Sequence, residues 1–256
     1  MIKIWKLTLF FLLCLVVALI FNLPVPHLMQ WVKLPSSVQV SGIDGTLMRG
    51  RAREVSINQF PVRDLKYRYL PSCIPRLKLC YRLQYDRGEI FLAYDLLNGD
   101  AEISDSLVEY TVSELMAHVP NALVQPAGKL ELGIEEASYQ DGRPQTVQGN
   151  LIWRDLGLDD AGIKVSIGDY KIDFTGNNTG YDFVISDLNA SLDVSGKGNL
   201  KPGGIYAVDL RISGENGIDA NVKKVLDLVA ASAGHNKYRV RQTGRLPAHI
   251  TRQLFR

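Results

Sequence analysis

Histidines, cysteines and clustered carboxylates are the residues able to carry bond chemistry, and in this chain they are thinly spread. The four histidines, His27, His118, His235 and His249, stand far apart, and none has the spacing of a metal-ligand motif. Neither a Gly-x-Ser-x-Gly nucleophile turn nor a phosphate loop ending in Gly-Lys-Ser/Thr occurs. Asp155, Asp159 and Asp160 cluster around Gly157. Calcium needs several oxygen ligands at fixed loop spacing with a final carboxylate, so a solvated turn is the expectation there. Asn177-Asn-Thr179 and Asn189-Ala-Ser191 match the glycosylation sequon, which matters only in a eukaryotic secretory route. No catalytic, cofactor-binding or metal-ligating residue is assigned, and no enzyme activity is expected.

Of the three cysteines, Cys14 lies in an apolar run, where a thiol behaves as a small hydrophobe. Cys73 and Cys80 lie close together, and in an oxidising compartment such a pair reads as a disulfide, with two free thiols or a metal site as the other readings. The chain begins with Lys3 and Lys6 ahead of a run from Leu7 to Leu23 interrupted by little but Thr8 and Asn22. Counted from Ile4 to Leu23 as a helix it spans about 30 Å, the thickness of a bilayer core. A cleaved signal peptide would need small residues before its cut, and Asn22 to Trp31 offers none, which favours an uncleaved anchor. Basic residues ahead of the helix put the N-terminus in the cytoplasm and the remainder outside it.

These residues must be carried by a β-rich scaffold. With 22 glycines and 11 prolines in 256 residues the chain is turn-rich, and a net charge of +2 supplies no field for nucleic acid. Residues 1–23 read as the anchor, 24–37 as a linker holding Pro24, Pro26 and Pro35, and 38–256 as one large β domain. Period-two alternation runs through Val38–Val40, Val55–Ile57, Leu65–Tyr69 and Ile90–Tyr94, where Asp86-Arg-Gly88 supplies a turn. It resumes at Leu130–Ile134, Val147–Trp153, Ile163–Ile167, Ile172–Phe174, Leu188–Val194, Tyr206–Ile212 and Tyr238–Val240. Two amphipathic helices are predicted. One runs from Ser106, whose spacing to Glu109 fits a capping box, to Val119; the other covers Asp219–Val229. The expected fold is mainly β: a membrane helix, then an antiparallel curved sheet or sandwich with these two helices closing its apolar face into a core.

Several segments in order resemble the type II secretion system protein N family, also called general secretion pathway protein N. They are the N-terminal helix, Gly42-Ile-Asp-Gly45-Thr-Leu-Met-Arg-Gly50 followed by Arg51-Ala52, Pro126-Ala-Gly-Lys-Leu-Glu-Leu132, and Gly149-Asn-Leu-Ile-Trp153. Met48 stands where the family pattern has tryptophan, and Arg154 where it tends to a small residue. The resemblance implies an accessory inner-membrane subunit with a periplasmic domain that assembles with other subunits of an export machine, and it brings no active site. The β domain is also similar to AsmA-like proteins, which implies as an alternative that the open side of a sheet holds lipid.

Overall fold

The computed structural model describes residues 2–29, 38–57, 60–116, 126–140, 143–160, 163–214, 217–218 and 220–246. Its contacts group into two compact units, Met1–Leu97 and Asn98–Arg256.

The first unit starts with helix α1, Ile2–Asn22, and a short helix α2, Val25–Met29. At 1.5 Å per residue α1 is about 31 Å long. Its described apolar side chains are exposed, among them Trp5, Leu7, Phe10, Phe11 and Leu19. Within the described residues alone, no helix carries a stretch long and apolar enough to cross a membrane. Leu13, Val16, Val17, Ile20 and Phe21, whose side chains lie outside that description, are themselves apolar. Five strands follow in an antiparallel meander: β1 (Val38–Gly45), β2 (Arg49–Ile57), β3 (Phe60–Leu70), β4 (Lys78–Tyr85) and β5 (Gly88–Asp95). A 3-10 turn, Pro71–Arg76, joins β3 to β4, and Leu77 after it takes the left-handed conformation at φ 54°. Cys73 in that turn and Cys80 in β4 are joined, with Sγ atoms 2.02 Å and Cα atoms 6.0 Å apart.

The second unit is a longer meander: β6 (Ala101–Thr111), β7 (Pro126–Gln140), β8 (Arg143–Asp160), β9 (Ile163–Asn177), β10 (Gly180–Ala190), β11 (Asp193–Leu200) and β12 (Ile205–Ser213). Helix α4 (Ala220–Val229) then intervenes. The last strand, β14 (Lys237–Arg245), pairs with β12 and leaves β13 (Ala231–Gly234) outside it. Because directly opposed residues of an antiparallel pair share a face, the register assembles one lateral apolar row. It runs Val108, Leu132, Leu151, Ile172, Ile185, Gly196, Leu210, Val240 across eight strands. In the next row Phe183 stands opposite Gly198, and a Cβ on that glycine would lie 2.2 Å from the phenyl ring. The glycine is the socket for the ring.

The structure corrects the first predicted helix. Ser106 to Thr111 is strand, and only Val112–Met116 (α3) is helical; Val119 lies outside the described residues. Ser106, Val108 and Val112 are buried while Leu107 is exposed, a period of two that the segment satisfies as well as a helical one. Pairing with the long edge of β7 decides between them, since β-branched Val108 and Thr111 suit a strand. The alternation from Leu188 to Val194 is likewise a turn rather than a single strand: β10 ends at Ala190 and β11 begins at Asp193. Ser191 closes that turn by donating from both its N–H and its Oγ to the Ile167 carbonyl. β4 has no counterpart among the predicted strands. The second predicted helix is present as α4, with Asp219 outside the described residues.

Among the described residues the closed core expected for the second unit is present only in part. Its buried cluster joins Val222 and Leu226 of α4 to Leu192 and Tyr238 at one end of the sheet, with Ile167, Val194 and Ile212 packed against it. Val108 and Val112 are buried at the other end. Between them Leu132, Leu151, Ile172, Ile185 and Leu210 are only partly covered, and all the described strands of the unit belong to one ladder rather than to two facing sheets.

Candidate functional site

The glycine-rich segment that carries the resemblance forms the β1–β2 hairpin. Gly45 sits at φ +114°, and the Thr46 N–H bonds the Arg49 carbonyl at 2.8 Å to close the loop. Tyr67, from β3, crosses beneath the hairpin and donates from its hydroxyl to the Thr46 carbonyl at 2.9 Å. A Cβ on Gly50 would lie 2.2 Å from that hydroxyl and 2.4 Å from the Asp44 carbonyl oxygen, so only glycine admits the crossing. Burial, with Tyr81 and Asp44 adding to it, raises the Tyr67 hydroxyl pKa. Thr46 also bridges to Pro24, and α2 packs on β1 with Val25 buried. The motif thus clasps the chain leaving α1 to the sheet.

The opposite face of the same strands is cationic. Arg49 on β2 pairs with Arg68 on β3, which pairs with Arg82 on β4; two residues along, Arg51 pairs with Lys66. Arg51 reaches Asp44 at 4.0 Å and Arg82 reaches Glu89 at 3.3 Å, both in exposed pairs. Among the described residues, Arg49, Lys66 and Arg68 have no carboxylate partner. These side chains and Asp44 border a shallow cavity of about 460 Å³. Sequence reading missed this surface, although the alternation Arg49-x-Arg51 and Lys66-x-Arg68 was the available signal.

In the second unit several polar side chains are paired. Asp209 on β12 accepts from Arg239 Nε and Nη2 at 2.8 and 2.6 Å and from Arg241 Nε at 3.1 Å. The Arg239 hydrogen bonds, working against partial desolvation and helped by Arg241, hold its carboxyl far below the usual range. Arg154 pairs with Glu131 and lies 3.8 Å from Asp169. Tyr170, buried on β9, donates to the Leu192 carbonyl at 3.1 Å. Its pKa is raised from 10.0 to about 12 by burial first, then by Asp187 and Asp193. A folded-state pKa above the unfolded one means the contribution is complete below pH 10 and lost as pH rises through about 12. Tyr170→Phe is therefore expected to flatten the fall of unfolding free energy over that window. Denaturant titrations at pH 9 to 12 check this. Equal slopes for the two proteins would contradict it.

The residues singled out for chemistry are not gathered together. His27 in α2 and His235 in the turn before β14 are exposed, while His118 and His249 lie outside the described residues. Asp155 takes φ 51° at a register break in β8, its N–H bonded to Asp169 Oδ1 at 2.8 Å, and the Asp159 and Asp160 side chains are not described. Asn177 forms the β9–β10 turn, accepting from the Thr179 N–H at 2.8 Å and its hydroxyl at 2.5 Å. Cys14 is a free, exposed thiol. Among the described residues no group of three His, Cys, Asp or Glu is placed to hold a metal.

These features define an antiparallel-meander protein whose unusual chemistry lies on its surfaces, an incompletely covered apolar row and a block of opposed cations. The chain belongs to the type II secretion system protein N family, whose model, described as Type II secretion system (T2SS), protein N, matches residues 36–241. It is 20% identical over 242 residues to the Type II secretion system protein N of Vibrio cholerae serotype O1, covering 91% of this chain and 94% of that protein. No solved structure matches the chain.

Proposed function

We propose that the chain is an accessory inner-membrane subunit of a type II secretion system, with a periplasmic β domain that serves as an assembly and interaction module. The family match over residues 36–241 carries this reading, because it spans the hairpin, the cationic rows and the apolar row alike. In it α1 is a single-pass anchor contacting the bilayer through residues 4–23, with Lys3 and Lys6 on the cytoplasmic side. The length of α1 and the exposure of Trp5, Leu7, Phe10 and Phe11 support the anchor. Other inner-membrane subunits are the partners, nucleic acid is not, and the chain carries out no catalytic step.

Alkaline washing of membranes should leave the chain in the pellet with its N-terminus intact, and crosslinking there should capture other subunits of the apparatus. Release into the wash would remove the anchor. Retention without any secretion subunit in the crosslinks would remove the assembly role.

A second reading, an AsmA-like lipid carrier of the cell envelope, is favoured by one observation, the partly covered stretch from Leu132 to Leu210. In that reading acyl chains lie along the middle of the row, between α3 and α4.

A further inference from the structure

We propose that the cationic face of β2, β3 and β4 binds the headgroups of anionic phospholipids beside the anchor. The register is the first reason. Directly opposed residues of an antiparallel pair have Cβ atoms about 4.5–5.5 Å apart, and like charges there repel. This sheet opposes Arg49 to Arg68, Arg68 to Arg82 and Arg51 to Lys66. Five cations therefore share the face with two carboxylates, Asp44 and Glu89, so three positive charges go unbalanced. Arg53 and Asp64 lie next to the block and leave that excess unchanged. An anion seated on this face would relieve the repulsion between the opposed cations.

Position identifies the anion. Arg49 begins β2, directly after the loop in which Thr46 bridges to Pro24, and Pro24 lies two residues beyond the end of α1. Two residues of chain reach no more than about 7 Å. Lysine and arginine act on an anionic surface within about a Debye length, roughly 8 Å at physiological salt. The hairpin is held by the Tyr67 hydroxyl and by the Tyr69 N–H bonding the Met48 carbonyl at 2.8 Å, so the cations near the helix end stand on rigid strands. Guanidinium groups grip phosphate oxygens in paired hydrogen bonds, and two of the three cations without a carboxylate partner, Arg49 and Arg68, are arginines. The proposal rests on the anchor reading of α1.

The test uses the full chain in nanodiscs of phosphatidylcholine alone or of phosphatidylcholine mixed with phosphatidylglycerol. Thermal unfolding is followed for the wild type and for Arg49→Gln/Arg68→Gln/Arg82→Gln. In phosphatidylcholine the variant should melt at or above the wild type, because the opposed charges are gone. Phosphatidylglycerol should raise the wild-type midpoint by about 5 °C. The variant should not respond, and added salt should erase the wild-type shift. An equal shift in both proteins, or none in either, overturns the proposal. So does the same wild-type shift from inorganic phosphate or from a soluble acidic peptide in phosphatidylcholine discs, which would assign the face to another anion. Should the triple variant fail to fold, Arg68→Gln alone removes the centre of the row. If α1 is not an anchor, the chain will wash from membranes at alkaline pH. That failure is separate from a missing phosphatidylglycerol shift.

Discussion

Replacing Leu226 by alanine is expected to cost about 2–4 kcal/mol, whereas Leu132→Ala should cost only about 1 kcal/mol. Both remove the same atoms from a leucine on the apolar side of the second unit. Leu226 is 7% exposed and packed with Leu192, Val222 and Tyr238, so its truncation leaves a cavity that the sheet beneath cannot close. Leu132 has strand neighbours on either side, Val108 and Leu151, but is only partly covered from above, and water already reaches part of it. Loss of α4 packing also loosens Tyr238, whose hydroxyl bonds Asp227 at 2.9 Å across the same contact. Urea unfolding of the detergent-solubilised chain measures both values. Equal costs for the two variants would mean that a cover lies over the middle of the row, and the lipid-carrier reading would then lose its support.

Joint replacement of Cys73 and Cys80 by alanine is expected to cost roughly 2.5 kcal/mol, the chain-entropy value for so short a loop. The bond spans seven positions and ties the 3-10 turn Pro71–Arg76 to β4, where Cys80 is 1% exposed. That turn aims β4 back along β3 and so helps set the register that places Arg82 opposite Arg68. We expect the pair to be bonded in an oxidising compartment while Cys14 stays reduced. Thiol labelling of the denatured, unreduced chain should then modify one site. Labelling at all three sites refutes the pairing, and an unchanged unfolding midpoint for the double variant refutes its contribution to stability.

Much of the scaffold was legible before any coordinates. The alternation at Leu65–Tyr69, Leu130–Ile134 and Tyr206–Ile212 names strands because side chains in a strand change face at every residue. The stripe Val222, Leu226 names α4 for the corresponding helical reason, and the glycines from Gly42 to Gly50 announce a tight hairpin. The family resemblance rested on the same local segments, and the match over residues 36–241 supports it.

What the sequence alone determined is therefore local: which segments are extended, which face of each is apolar, where the chain turns, and the apolar run that becomes α1. Tertiary structure decided everything that depends on which strand lies beside which. Ser106–Thr111 satisfies two periods, and only the edge of β7 makes it a strand. Leu132 and Leu226 look equally destined for a core, and only the placement of α4 buries one and leaves the other partly open. Arg49, Arg68 and Arg82 are scattered basic residues until pairing aligns them. The physical reason is common to all three. A side chain's periodicity is set by its own backbone, but its neighbours across a sheet are set by hydrogen bonds to segments many residues away, and no local pattern records them.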